Sequence, residues 1–397
     1  MSTDRTVGTH DEKGWGMGTR QLNRGWAGTW GVLLLSSGVA AAEPSEWIAA
    51  IKSVGVEGQG HAAAVVAVRN LSGAEAGVLP EILAAFDGAS PLAANWLRGA
   101  FEAVADRAWR QQQLSAPLLE GFVTDTRRDP AARRMAYEWL LKLDATASER
   151  LVPGFLHDPS PELRREAVAR QLSIAEEFRQ ADQRAAAIAA YRRALSGAVD
   201  DDQVKAIVKP LRELGEQVDL PRHFGFLLDW QLIGPFDNTG NQGFDTPYPP
   251  EQGLDFAGSY AGKTGEISWQ EYRTDHEYGI VDLTKALAPH KGAVTYAAAH
   301  YTSDRPQTVE IRLGTPNAWK LWLNGQLLFA RDEYHRNMQI DQYRVKAPLK
   351  AGRNVILLKV CQNEQTEEWA QRWQFQLRVC DATGAALPPV APATSLR

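Results

Sequence analysis

Trp319-Lys320-Leu321-Trp322-Leu323 and Leu327-Leu328-Phe329 are apolar runs joined across the dipeptide Asn324-Gly325. Both members of that dipeptide tolerate positive φ, so it closes a type I′ turn and commits its flanks to an antiparallel hairpin. The pattern continues through Leu349-Lys350-Ala351-Gly352-Arg353-Asn354 into the run Val355–Val360, where a Gly-containing turn leads into a further strand. Val309, Ile311 and Leu313 alternate with Glu310 and Arg312, and Trp373, Phe375, Leu377 and Val379 alternate with Gln374, Gln376, Arg378 and Cys380. Period-two alternation describes a strand with one buried face. About nine or ten such runs between residues 225 and 385 predict an antiparallel β-sandwich or jelly roll.

The first half of the chain follows a different period. Leu118-Leu119-Glu120-Gly121-Phe122-Val123-Thr124-Asp125 recurs 33 residues later as Leu151-Val152-Pro153-Gly154-Phe155-Leu156-His157-Asp158. Arg133-Arg134-Met135-Ala136 recurs 31 residues later as Arg164-Arg165-Glu166-Ala167. A two-helix unit repeated at this spacing predicts an α-solenoid, because one copy cannot bury its apolar face alone. Asp158-Pro159-Ser160-Pro161-Glu162 stops one helix and starts the next, with Ser160 as N-cap and Pro161 at the first helical position. A degenerate earlier copy runs from Leu79-Pro80 through Asp87 to Trp96-Leu97. Ile188, Tyr191 and Leu195 share one helical face, and Val204, Ile207, Val208, Leu211 and Leu214 another, which closes the array. The helical domain is therefore expected over residues 43–216, a linker around Pro221 at 217–224, the sandwich over 225–385, and a Pro/Ala-rich disordered tail over 386–397.

The chain of 397 residues has room for two or three domains. Its net charge of −5 gives no general electrostatic reason to bind nucleic acid. Arg20 and Arg24 precede the apolar run from Trp26 to Val39, and Ala40-Ala41-Ala42 follows it. That order is expected of a cleaved export signal over residues 1–42, with Met1 or Met17 as the start. The run is too short to span a bilayer, so no membrane span is expected after cleavage. In an exported chain the two cysteines could pair. If Val355–Val360 and Trp373–Val379 form a hairpin, Cys361 and Cys380 stand roughly 20 Å apart at ~3.3 Å per residue. A disulfide requires Cα atoms within about 7 Å, so two free thiols are expected.

Few residues point to chemistry. Ala257-Gly258-Ser259-Tyr260-Ala261-Gly262-Lys263-Thr264 matches a relaxed phosphate-loop pattern, but the following Glu266–Tyr272 alternates like a strand. A phosphate loop needs a helix there, so the match is read as chance. The eight histidines show no metal-ligand spacing. His157 is read as a turn residue. The Arg-Arg pairs at 127–128, 133–134 and 164–165 are expected to bind acids of neighbouring repeats, such as Glu138 or Glu166. Among Trp230, Trp269, Trp319, Trp322, Trp369 and Trp373, alternation assigns Trp319 and Trp373 to the core. Trp322 and Trp369 remain as candidates for exposure, and an exposed aromatic face can stack on the apolar face of a sugar. Trp369 lies on the acidic loop Glu364–Gln371. Gly234–Asn238, Asp332–Arg336 and Asp341–Tyr343 crowd polar groups into loops whose oxygens suit a ligand rim or a structural calcium.

Trp230 through Asn238, Trp322-Leu323-Asn324-Gly325, Tyr334-His335, and Lys359–Gln365 with Trp369-Ala370-Gln371 together resemble the galactose-binding-like superfamily, the jelly-roll domain attached to β-galactosidases. The Asp-Pro turn and the Arg-x-x-Ala runs resemble HEAT repeats, and the whole chain is similar to exported bacterial proteins that combine the two. The resemblance implies a non-catalytic module, often carbohydrate-binding and sometimes holding a structural calcium; no cofactor is expected. Three functions fit the residues: an exported binding or scaffold protein whose partner is a glycan or an envelope protein, an enzyme of envelope polysaccharide turnover, and a purely structural envelope protein. The first is expected, because no local motif nominates a catalytic carboxylate pair. The expected sugar-contacting residues are Trp369, Glu367, Tyr334 and His335.

Overall fold

Helix starts in the first half are written into the sequence as a small capping residue followed by proline. The computed structural model describes residues 43–390; the expected signal at 1–42 and the last part of the tail, 391–397, lie outside the described residues. The helices are α1 (Pro44–Lys52), α2 (His61–Gly73), α3 (Leu79–Ala84), α4 (Pro91–Arg110), α5 (Ala116–Thr124), α6 (Pro130–Leu143), α7 (Ala147–Leu151), α8 (Pro161–Gln180), α9 (Arg184–Gly197), α10 (Asp201–Glu213) and α11 (Leu220–Phe224). Ser90 Oγ accepts from Ala93 N, Ser115 Oγ from Leu118 N, and Asp129 Oδ1 from Ala131 N and Ala132 N, each with a proline in the first helical turn. Such caps satisfy backbone donors that the helix itself leaves open, at about 1 kcal/mol each. Ser160 holds the cap position of α8 before Pro161, but its side chain makes no capping bond.

The sequence repeat corresponds to α5 and α6, then to α7, a 3-10 turn at Val152–Phe155 and α8. Leu119, Val123, Met135, Ala136, Leu140, Leu163, Ala167 and Val168 are buried in one continuous core. Close packing extends to α9, where a Cβ on Gly197 would stand 2.3 Å from Leu156 O. Of the 133–134 and 164–165 pairs, Arg133, Arg134 and Arg165 bind acids as expected. Arg133 is fully buried and grips the Asp158 carboxylate through two bonds of 2.7 Å, with Nε on Val123 O at 2.8 Å. Arg134 joins Glu138 at 2.8 Å and Glu166 at 2.6 Å. Arg165 joins Asp200 at 3.2 Å and also Asp202. Arg164 has no such carboxylate bond. It donates to Thr383 O at 2.7 Å, in the β-rich half.

The second half contains β1 (Asp229–Asp237), α12 (Pro249–Gln252), β2 (Ser259–Gly262), β3 (Gly265–Ser268), β4 (Gln270–Arg273), β5 (Val281–Asp282), α13 (Leu283–Ala286), β6 (Ala293–Ser303), β7 (Gln307–Gly314), β8 (Ala318–Leu323), β9 (Gln326–Arg331), β10 (Tyr343–Leu349), β11 (Gly352–Gln362) and β12 (Gln374–Cys380). A six-stranded sheet, β4-β1-β6-β11-β8-β9, faces a four-stranded sheet, β10-β7-β12-β5, and all pairings are antiparallel. Leu232, Trp319, Leu321, Ile356, Leu358 and Val360 of one sheet pack on Val309, Ile311, Leu313, Trp373, Phe375 and Leu377 of the other. This is a β-sandwich-like region. The β8–β9 turn is the expected one, with Asn324 at φ 52 and Gly325 at φ 83.

Three expectations are corrected. The strands containing Cys361 and Cys380 do not form a hairpin. β11 lies between β6 and β8, and β12 lies between β7 and β5 in the other sheet. Both thiols are nevertheless free and buried, and burial pushes them up to about 12 for Cys361 and about 11 for Cys380. Residues 217–224, expected as a linker, contain the short helix α11. Pro221 sits in the first turn of α11, Asp219 caps that helix, and Leu220 and Phe224 are buried. The first part of the expected tail is held to the sheets. Leu387 N donates to Val379 O at 3.1 Å, Tyr301 Oη donates to Leu387 O at 2.6 Å, and Val390 N donates to Thr302 O at 3.0 Å.

Part of the polar face of the four-stranded sheet, on β7 and β12, is buried beside the helices, while Arg344 and Lys346 of β10 stay exposed. Arg378, 1% exposed, donates to Asp341 Oδ1 at 2.6 Å and Oδ2 at 2.5 Å, and to Phe224 O at 3.1 Å and Gly384 O at 3.0 Å. Arg312 donates to the same carboxylate at 2.6 Å and to Glu310. Burial works to raise the Asp341 pKa, but the bonds and charges of Arg378 and Arg312 outweigh it and hold the carboxyl below the ordinary aspartate range. Residues from Pro44 onward form one compact unit. Among the described residues no single helix is long and apolar enough to cross a membrane.

Two stability predictions follow from these pairs. Asp158→Ala strands a buried guanidinium and is expected to cost about 3–5 kcal/mol in urea denaturation. Arg133→Met combined with Asp158→Leu should recover most of that loss. A single change as harmless as the double would show that the pair is not desolvated. Because the Asp341 pKa is depressed in the fold, its contribution is full above the unfolded value of about 3.9 and is lost as pH falls through the folded value. The stability gap between wild type and Asp341→Asn should therefore be flat at neutral pH and close below pH ~4. A gap that widens on acidification would contradict this assignment.

Candidate functional site

One end of the sandwich gathers the loop after β1, the segment Tyr334-His335 after β9, and the loop between β11 and β12. A 3-10 turn at Glu368–Ala370 holds the last of these, and Trp369 projects from it with 61% of its surface exposed. His335 packs edge-on against Trp369, with ring centroids 4.8 Å apart at 87°. Tyr334 lies 6.2 Å from the His335 ring. His335 takes a left-handed backbone conformation, φ 57, at the head of this contact. Its Nε2 is buried with no hydrogen-bond partner. Three of the four expected residues, Trp369, His335 and Tyr334, are therefore brought together. Glu367 stands two residues before Trp369 on the same turn and is exposed.

The platform is held from below by buried amides. Asn317, 1% exposed, donates through Nδ2 to Gln362 Oε1 at 3.1 Å and to Arg372 O at 3.1 Å, and accepts from Gln374 N at 3.1 Å. Gln362 Nε2 donates to Ala370 O at 3.1 Å, the carbonyl next to Trp369. Asn238, fully buried, donates to Gln362 O at 3.0 Å and Tyr334 Oη at 3.1 Å. Lys291 Nζ donates to Ala370 O at 2.8 Å; burial lowers its pKa, and the nearby Glu367 charge opposes that shift. Burial also raises the Tyr334 phenol. Fixed side chains beneath an exposed indole make a preorganised apolar surface, so little ordering remains to be done when a ligand lands on it.

Other sequence candidates have structural employment. Trp322, expected as a candidate for exposure, is 6% exposed, because residues after β1 fold over the outer face of the six-stranded sheet and bring Phe244 and Tyr248 against it. Trp319 and Trp373 are fully buried, as expected. The phosphate-loop-like segment forms β2 and the turn into β3, with no helix after Lys263. Lys263 Nζ instead binds Asp237 at 2.9 Å. Asp341 belongs to the arginine cluster and Gln342 Oε1 accepts from Thr315 N at 3.1 Å, so neither forms a rim. Among the described residues no group of three or more His, Cys, Asp or Glu is placed to hold a metal ion. Sequence reasoning missed Asn317 and Lys291. An isolated Asn before a strand and a Lys in a Gly-containing loop carry no pattern.

No protein-family model matches the sequence, and no curated protein matches it either. Among solved structures, the chain is similar to a family 35 carbohydrate-binding module from an environmental isolate, at 18% identity and TM-score 0.18 over 24% of this chain and 72% of the module. It is also similar to β-glucosidase from Kluyveromyces marxianus, at 13% identity and TM-score 0.24 over 38% of this chain and 16% of the enzyme. A third likeness is to Faecalibacterium prausnitzii β-glucuronidase, at 13% identity and TM-score 0.22 over 42% of this chain and 33% of the enzyme. The chain thus spans well under half the length of either enzyme. Likenesses with TM-scores this low carry no functional weight.

Asn317→Ala removes the amide that ties Arg372 O, Gln362 and Gln374 N together. Leaving those buried groups unpaired should cost about 1–3 kcal/mol. Hydrogen exchange over residues 364–373 should accelerate in the variant. Unaltered protection there would mean that the loop does not depend on the amides.

Proposed function

We propose that this chain is an exported, non-catalytic binding protein whose β-sandwich, read as a galactose-binding-like jelly roll, takes a glycan on the Trp369 platform. The observation that carries this reading is an indole 61% exposed on a turn whose carbonyls are fixed from below by buried Asn317 and Gln362 and half-buried Lys291. A large aromatic normally buries itself, and holding one open on a rigid turn suits a flat apolar ligand face. Glu367 and His335 flank the indole with groups able to hydrogen-bond hydroxyls. The helical half is read as a HEAT-type solenoid, which supports a scaffold role toward an envelope protein. The order of charge, apolar run and small residues over 1–42 supports export to the periplasm or beyond.

A glycan array with the full chain tests the reading. Trp369→Ala should weaken binding of the retained glycan by about 1–2 kcal/mol, roughly five- to thirtyfold in Kd, with the fold intact. Hydrolysis of that glycan by the wild type, abolished by one carboxylate substitution, would reject the non-catalytic assignment.

A further inference from the structure

We infer that the ligand is a linear, neutral oligosaccharide running from the Trp369 platform into a cleft between α10 and the β-strands, where Tyr278 forms a second contact surface; this rests on the glycan reading above. The cleft is a cavity of about 500 Å³ that receives Asp201 and Lys205 from α10, Tyr278 from the segment before β5, and Arg372, Gln374 and Gln376 from the start of β12. A second cavity of about 460 Å³ meets it at Lys205 and Tyr278, so open space lies along both sides of that residue. Crevices where two structural regions meet are favoured places for ligands.

The lining is suited to sugars. Tyr278 offers a partly exposed ring, positioned from behind by Phe224 and Phe226 at centroid distances of 5.8 and 6.3 Å. Three glutamines (Gln339, Gln374 and Gln376), an aspartate and an arginine present planar donor and acceptor groups that can address neighbouring hydroxyls. Asp201 Oδ2 holds Lys205 at 2.6 Å, and the Tyr278 hydroxyl lies beside the same carboxylate, so this corner of the cleft is fixed before a ligand arrives. Lys205 is paired with Asp201, which leaves Arg372 as a single uncompensated charge in this lining, too little to select a polyanion over a neutral chain.

The cleft and the platform adjoin along the chain in two places. Arg372 follows Trp369 by three residues, and Met338, on the cleft wall, follows His335 by three. Three residues span at most about 10–11 Å, so the rim of the cleft lies within reach of a short oligosaccharide seated on the indole. His335 contacts Trp369 directly, so both connections start from the same spot.

Isothermal titration of the full chain with cello-, galacto- and chito-oligosaccharides of two to six sugars tests the inference. Arg372→Ala with Gln339→Ala serves as the cleft variant. Both side chains are exposed and make no side-chain hydrogen bond among the described residues, so the fold tolerates their removal. In the wild type, affinity for the recognised series should rise about tenfold with chain length, and the cleft variant should lose most of that rise. Affinity independent of length but abolished by Trp369→Ala would overturn the cleft and leave the platform standing. Retention of length-dependent binding in Trp369→Ala would overturn the continuous path and remove Trp369 from the site. Absence of binding at every length would overturn both readings.

Discussion

Asp341 is the group on which the arrangement of this molecule turns. Its carboxylate takes Arg378 and Arg312 from adjacent strands, and the same Arg378 reaches Phe224 O at the end of α11 and Gly384 O beyond the last strand. Phe224, β7, the Asp341 loop and β12 with the turn just after it are thereby linked through one largely buried ion cluster. Such a cluster is expensive to desolvate, so it is weak evidence for high stability. Its value here is positional: helices and sheets are held in one relation, and the junction cannot slide without leaving a charge unpaired.

That cluster also explains where the sequence reading succeeded and where it stopped. Alternation along β7 and β12 correctly separates Val309, Ile311 and Leu313 from Glu310 and Arg312, and Phe375 and Leu377 from Gln376 and Arg378. It cannot tell whether the polar side meets water or another part of the protein. Arg312, Gln376 and Arg378 are all at or below 5% exposed, because the helical half covers that face. On the other sheet Trp322 is covered by Phe244 and Tyr248, which alternation along β8 equally leaves open. Strand partners were equally illegible. Period two states which way each side chain points, yet nothing in β11 or β12 says that they belong to different sheets.

The candidate site was legible in its exposed parts and illegible in its supports. Trp369 stands out because an aromatic within an acidic loop conflicts with its surroundings, and Tyr334-His335 because the pair resembles a known pattern. The amides beneath them become meaningful only when Asn317, Asn238 and Gln362 are folded together from three distant loops and strands. Local chemistry predicts a capping serine or an Asn-Gly turn because both partners are close in sequence. Asn317 and Arg372 are 55 residues apart.

The bond from Arg164 to Thr383 carries a consequence for how such a chain can change in length. Arg133, at the matching place one unit earlier, meets the Asp158 carboxylate supplied by the unit that follows it. Arg164 meets a main-chain carbonyl of the β-rich half instead. An insertion or deletion between α6 and α8 would therefore have to keep two registers at once, that of Arg133 against Asp158 and that of Arg164 against Thr383.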